Sequence, residues 1–236
     1  MPPPSNPEPA SQLSISERRE LLARARHAII EAVVHDRVPD VSVPSSGALS
    51  DHRGVFVSLY RRGRLRGCVG QTRSSLPLAE TVAQCSISAA LSDPRFTPLK
   101  AEEVDALTIE ISVLSEPEPI SAQTIEDGSA PETQERQFEV RKHLEVGQRF
   151  EMGKRFDVGK QGLLVVRGFQ RGLLLPQVAS ERHWPAKRFV EEVCRKAGLE
   201  PGAWRDHETQ IFAFTVEAFS EAELQQAPTA NYSIST

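Results

Sequence analysis

The sequence predicts an α+β protein made of two related halves that share one antiparallel sheet, and three observations support this. Runs with period 2, such as Val55-Phe56-Val57-Ser58-Leu59-Tyr60, take turns along the chain with runs at helical spacing, such as Leu21, Leu22, Ala25 and Ile29. Glycine turns separate paired strand patterns, as hairpins require. The chain also matches itself. Arg62-Gly63-Arg64-Leu65-Arg66-Gly67 resembles Arg167-Gly168-Phe169-Gln170-Arg171-Gly172, 105 positions further on. Pro77, Val82, Ala89 and Leu91 meet Pro185, Val190, Ala197 and Leu199 at a spacing of 108, and Val113-Leu114-Ser115-Glu116 meets Ala218-Phe219-Ser220-Glu221 at 105 again. Each half reads as hairpin, helix, strand. A repeat this long indicates a duplicated α+β unit rather than a solenoid.

The elements follow in order. Residues 1–12 are proline-rich with no apolar stretch, so a disordered tail is expected and not a secretory signal. Ser14-Ile15-Ser16-Glu17 is a capping box that opens a helix reaching about His35. Pro39 to Gly47 reads as a loop. Val55 to Tyr60 and Leu65 to Val69 form a hairpin across the Arg62-Gly63 turn. Pro77 starts a second helix with Leu78, Val82, Cys85, Ala89 and Leu91 on its inner face. Asp93-Pro94-Arg95-Phe96 ends it, with Asp93 and Arg95 expected to pair there. Leu107 to Val113 reads as a strand. Ser121 to Phe150 is polar and weakly periodic, an insert that is either flexible or a hairpin of its own. A second hairpin joins Leu163–Val166 to Leu173–Leu175 through a turn near Gly168. Ala186 to Ala197 is a helix closed by Gly198, Ile211 to Phe219 is the last strand, and residues 223–236 are expected to be a loose tail. One domain therefore covers residues 13–222, with the insert at about 121–150.

A net charge of −4 over 236 residues argues against a dedicated nucleic-acid binder. Cys68, Cys85 and Cys194 are odd in number and lack any CxxC pattern, so neither a disulfide framework nor a zinc knuckle is expected, and a reducing, cytoplasmic setting fits. No apolar run is long enough to span a membrane. No Walker loop, Rossmann glycine pattern or nucleophile-elbow serine is present, and no cofactor is expected.

The most distinctive stretch is Leu65-Arg66-Gly67-Cys68-Val69-Gly70, with Arg61, Arg62, Arg64 and Arg73 around it. Glycine in a strand marks a bulge or a close approach to the backbone. Cationic neighbours favour a thiolate over a thiol. With period 2, Arg64, Arg66 and Cys68 share one face, while Leu65 and Val69 turn to the core. On this reading Cys68 points into a cleft beside two arginines. The alternative is a buried structural cysteine, with a bulge at Gly67 resetting the register. Cys85 and Cys194 lie on inner helix faces, where packing explains them. His183 beside Trp184, and His207 beside Asp206, fall in no metal-ligand spacing. The arginines suit phosphate or carboxylate. Tyr60 alone interleaves them, so the stacking platform of a single-strand RNA binder is missing.

The Leu65–Gly70 motif resembles the hallmark of the AMMECR-one domain family, whose prokaryotic members are called AmmeMemoRadiSam system protein A. The resemblance continues through Asp93-Pro94-Arg95-Phe96, the strand Ile109 to Leu114, Val158-Gly159-Lys160-Gln161-Gly162-Leu163, Arg171 to Ala179, Cys194 to Leu199 and Trp204. It covers about residues 15–222 apart from the insert. It implies two related β/α repeats around a curved, barrel-like antiparallel sheet with flanking helices, and a cleft beside the hallmark. It also implies partnership with a Memo-type protein and a radical SAM enzyme, without fixing an activity. The family usually carries histidine where this chain has Gln161. The leading expectation is a protein that binds an anionic small molecule or protein partner beside Arg64, Arg66 and Cys68. Gly67 and Gly70 would allow close approach, with Asp93, Arg95 and Gln161 nearby. The alternatives are an enzyme using Cys68 as a nucleophile or redox thiol, and association with RNA.

Overall fold

The computed structural model describes residues 12–39, 47–128 and 156–226. The chain divides into two compact units, residues 1–116 with 217–236 and residues 117–216. The expected α+β class, with antiparallel strands and flanking helices, is what both units contain.

In the first unit, α1 (Ile15–Val33) opens with the expected capping box. Glu17 Oε2 accepts the Ser14 N–H at 2.8 Å, and Ser14 Oγ accepts the Glu17 N–H at 3.3 Å. The hairpin β1 (Val55–Arg61) and β2 (Arg64–Gln71) is followed by α2 (Leu78–Leu91) and β3 (Leu107–Leu114). The strand order is β2-β1-β3, all antiparallel. Val55, Val57 and Leu59 of β1, and Ile109, Ile111 and Val113 of β3, are fully buried in one core cluster with Leu21, Ala25 and Ile29 of α1 and Leu78, Val82 and Ala89 of α2. The other face of these strands carries the alternate positions, half-buried at Phe56, Ser58, Tyr60, Thr108 and Glu110 and buried at Ser112 and Leu114.

In the second unit, β4 (Glu118–Ile120) and α3 (Ala122–Gly128) precede the hairpin β5 (Gln161–Arg167) and β6 (Gln170–Leu174). Two helices follow, α4 (Pro176–Arg182) and α5 (Ala186–Lys196), then β7 (Gln210–Ser220). Strand β7 lies between β5 and β4 here. Phe189, Val190, Val193 and Cys194 of α5 pack with Leu163 and Val165 of β5 and with Trp204. The last residues of β7 belong to the first unit and lead into α6 (Glu221–Gln226).

Four elements go beyond the sequence reading. Strand β4 lies just before the expected insert and helix α3 occupies its start, while the insert's residues from 129 on lie outside those described. Helix α4 carries no sequence signal, because its seven residues are too few to show a helical period. Residues 223–226 belong to α6, and so correct the expected loose tail. Glu223 Oε2 accepts the Ser220 N–H at 3.0 Å and thereby starts that helix. The expected tail at 1–11 and residues 227–236 fall outside the described residues. No helix among those described is long and apolar enough to cross a membrane.

Candidate functional site: a cysteine row on the first unit

The hairpin does not keep strict alternation. Leu59 pairs with Gly67, but Tyr60 pairs with Leu65, so Arg66 is an extra residue bulged out of the ladder. The expected sharing of faces fails at this point, with a physical consequence on each side of the bulge. Leu65 is 38% exposed rather than in the core. Arg66 swings away to Glu103, with Nε at 3.1 Å from Oε1 and Nη2 at 2.9 Å from Oε2. Its Nη1 also donates to the Thr97 carbonyl at 2.8 Å. Arg61 Nη1 reaches the same carboxylate at 2.8 Å. Two of the clustered guanidinium groups are thus committed to one carboxylate, while Arg64 stays exposed near the hairpin turn.

Past the bulge the register is regular. Cys68 of β2 stands opposite Ser58 of β1, and Ser58 stands opposite Glu110 of β3. Directly opposed residues point to the same side of a sheet, with Cβ atoms about 5 Å apart. Thiol, hydroxyl and carboxyl therefore form one row across three strands, on the face away from the aliphatic core. All three are half-buried. Ser58 Oγ donates to Cys68 Sγ at 3.3 Å. The Glu110 carboxyl is held above the usual range, first by burial and then by the nearby Glu223 charge, against a hydrogen bond with Tyr60. A carboxyl of raised proton affinity in the same row as a thiol, two strands away, is the pattern of a group suited to carry a proton.

Cys68 sits on β2, at the end of the strand order, so among the described residues its outward N–H and C=O have no strand partner. Asp93 and Arg95 supply both. Asp93 Oδ2 accepts the Cys68 N–H at 2.8 Å, and Arg95 Nη2 donates to the Cys68 carbonyl at 3.0 Å. The two side chains brace each other, with Arg95 Nε at 3.0 Å from Oδ1 and Nη2 at 2.7 Å from Oδ2. The Asp93 side chain is 3% exposed and that of Arg95 is 56%. The Arg95 guanidinium, with the Cys68 and Arg95 N–H groups, holds the Asp93 carboxyl far below the carboxylate range. Arg95 in turn is raised, chiefly by Asp93, with the Cys68 side chain contributing. The expected ion pair is present, and it clamps the backbone of the cysteine as well as following the helix end.

The glycines serve packing. A Cβ on Gly67 would lie 2.1 Å from the Ala89 carbonyl oxygen, so its absence lets α2 press onto the strand. That assigns Gly67 to the core side instead of a ligand cleft. A Cβ on Gly70 would lie 2.4 Å from a ring carbon of Phe56, whose side chain fills that space. Gln161 begins β5 in the second unit, where its side-chain oxygen accepts the Asp157 N–H at 2.9 Å. Cys85 and Cys194 are buried, as their helix positions implied. Burial pushes the Cys85 thiol up to about 11, and it also raises Cys194.

Ser58, Glu110 and Tyr60 were missed by sequence reasoning. Their only signal was polarity at alternate positions of two strands, and register decides which of those positions meet Cys68.

Glu103 carries a pH prediction. Hydrogen bonding to Arg66 lowers its carboxyl to about 2 from the usual 4.5. A depressed folded value means that the stabilisation is complete above about pH 5 and is lost as pH falls toward 2. Acid denaturation of wild type should therefore steepen across that window, and Glu103→Gln should show a flatter curve there, followed by circular dichroism.

These features define an α+β protein with one thiol presented on a clamped edge strand. The AMMECR1 family profile matches residues 22–219, and the chain belongs to that family. A protein of Methanothermobacter thermautotrophicus is 38% identical over 216 residues, covering 89% of this chain and 96% of the relative. One of Thermococcus gammatolerans is 39% identical over 208 residues, covering 86% and 89%. The crystal structure of the uncharacterised protein PH0010 from Pyrococcus horikoshii has a TM-score of 0.66 at 36% identity, covering 85% of this chain and 89% of that one.

Proposed function

We propose that this protein is a cysteine-dependent enzyme, with Cys68 as nucleophile toward a small electrophile that bears an anionic group. The observation that carries the reading is the row Cys68–Ser58–Glu110, with a hydroxyl donating to the sulfur at 3.3 Å. The Cys68 sulfur attacks an electrophilic carbonyl carbon, the carbon–sulfur bond forms, and the bond to the leaving group breaks. Glu110 gives its proton to the departing atom, and the thiol proton passes to solvent. Water then attacks the thioester and restores the thiol. Arg95, half-exposed next to Cys68, is placed to meet the anionic group.

The second unit has leucine at the matching position, Leu173, so the chemistry belongs to the first unit alone. We further propose that the two units descend from one duplicated element. Gly67 and Gly172 support this, since the first sits against backbone of α2 and the second against backbone at the C-terminal end of α5. Partnership with Memo-type and radical SAM proteins rests on the family resemblance, and co-purification from a native host tests it; a cytoplasmic setting rests on the three cysteines that form no disulfide framework.

The enzymatic test uses p-nitrophenyl acetate. One nitrophenolate per chain should be released in a burst, with one acetyl group mapped to Cys68. Cys68→Ala should abolish the burst. Glu110→Gln should leave it intact, because nitrophenolate departs as the anion, and should slow acylation by an alkyl ester, whose alkoxide needs the proton, about a hundredfold, the low end for general acid catalysis. Acetylation spread over several residues, or a burst that survives Cys68→Ala, would overturn the reading.

A further inference from the structure

The second unit carries a surface groove of about 560 Å³ that the cysteine chemistry does not use. Its apolar floor is Leu174 of β6, Val178 of α4 and Trp184 in the link to α5. Among the described residues, its rim holds Arg182, Arg188, Arg195 and Lys196 against the single carboxylate of Glu192. That is an excess of three positive charges, in a chain whose net charge is −4. The pattern of α5 explains the placement. Phe189, Val190, Val193 and Cys194 take the buried side, which leaves Arg188, Glu192 and Arg195 on the outward side. Arg188 and Arg195 both lie 2.6 Å from Glu192, so one carboxylate gathers two guanidinium groups at the groove and neutralises only one. The Arg182 guanidinium lies 5.1 Å from the centre of the Trp184 ring, which orders both side chains.

A second feature adjoins this rim. Phe169, at the turn between β5 and β6, is fully exposed at 105%. Gln170 Nε2 donates to the Gly198 carbonyl at 2.9 Å, which ties the turn to the end of α5, where Arg195 and Lys196 sit. Exposed aromatic and arginine side chains around an apolar depression match the composition of binding hot spots.

We propose that this face of the second unit docks an acidic segment of a partner protein, one in which carboxylates alternate with aliphatic or aromatic side chains. The carboxylates meet Arg182, Arg188 and Lys196, and an apolar side chain enters against Leu174, Val178 and Trp184. Charge complementarity favours this occupant. A nucleic acid would set its regular phosphates against Glu192, whereas a peptide can place a neutral residue there. A membrane surface calls for an apolar plane, and here one aromatic projects beside a concave floor.

The probe is a short fluorescein-labelled peptide that alternates glutamate with leucine and phenylalanine, measured by anisotropy against the full chain. Binding is expected, weakening with added salt. Arg182→Glu combined with Lys196→Glu should weaken it about a hundredfold, and Trp184→Ala about tenfold, as for a moderate hot spot. The far-ultraviolet dichroism of both variants should match wild type. Failure of the peptide to bind would overturn the proposal. So would unchanged affinity after charge reversal, equal binding of a glutamate–glycine peptide, or binding to phosphatidylserine vesicles or single-stranded RNA in place of the peptide.

Discussion

Gly67→Ala will destabilise the protein by about 3 kcal/mol, the upper part of the range for forcing volume into a packed interior. The cause is local and geometric. The new Cβ would stand 2.1 Å from the Ala89 carbonyl oxygen, a backbone atom of α2 that cannot swing aside. Relief requires α2 to move off β1 and β2, and this helix supplies Leu78, Val82 and Ala89 to the fully packed core of the first unit. For a chain of this size the loss corresponds to a drop in Tm of about 10 °C. Gly172→Ala should behave similarly in the second unit, where a Cβ would meet the Val193 carbonyl at 2.4 Å. Gly202→Ala is the control. Nothing lies within 4 Å of its Cβ position, and its φ of −82° suits any residue, so the effect should stay within about 0.5 kcal/mol. Thermal denaturation of the three variants side by side checks the ranking.

Asp93→Asn should cost about 2–3 kcal/mol, the scale of hydrogen bonds to a charged group. The carboxylate accepts from the Cys68 N–H and from three N–H groups of Arg95, and its side chain is almost wholly buried. An amide keeps the shape but presents an N–H group to donors, and the charge that holds Arg95 in place disappears. The pH dependence gives the effect a signature. Because the Asp93 carboxyl lies far below its unfolded value, its stabilisation is full above about pH 5 and falls away as the solution is acidified. The gap between wild type and variant in urea midpoints should therefore be widest near neutrality and should close in acid. The same substitution releases the Cys68 backbone, so the rate of modification at Cys68 should also change, by contrast with Gly202→Ala.

Most of the fold was legible because its elements obey local rules. The capping box at Ser14, the turn glycines Gly63 and Gly168 with positive φ, and Gly198 beyond the end of α5 are each fixed by backbone chemistry within a few residues. Cys68 and its clamp, Asp93 and Arg95, were also within reach, since the motif singles them out. A bulge at Gly67 was one of the two alternatives in the sequence, and it falls one residue earlier, at Arg66, a placement that was not legible. It depends on Glu103, 37 residues away, drawing the guanidinium out of the strand face. The same distance problem concealed Ser58 and Glu110, whose meeting with Cys68 is a matter of register across three strands. Short α4 and β4 escaped because seven and three residues carry too little periodicity to be read.

The most direct test of the cysteine row is competitive alkylation of the native protein with limiting iodoacetamide, with each modified peptide quantified by mass spectrometry. The structure predicts that Cys68 reacts first, since it is half-exposed while Cys85 and Cys194 are buried with raised thiols. Ser58→Ala and Glu110→Gln should each alter the rate at Cys68 and leave the other two cysteines unchanged. Labelling of Cys68 no faster than Cys85 or Cys194, or indifferent to both substitutions, would contradict the account.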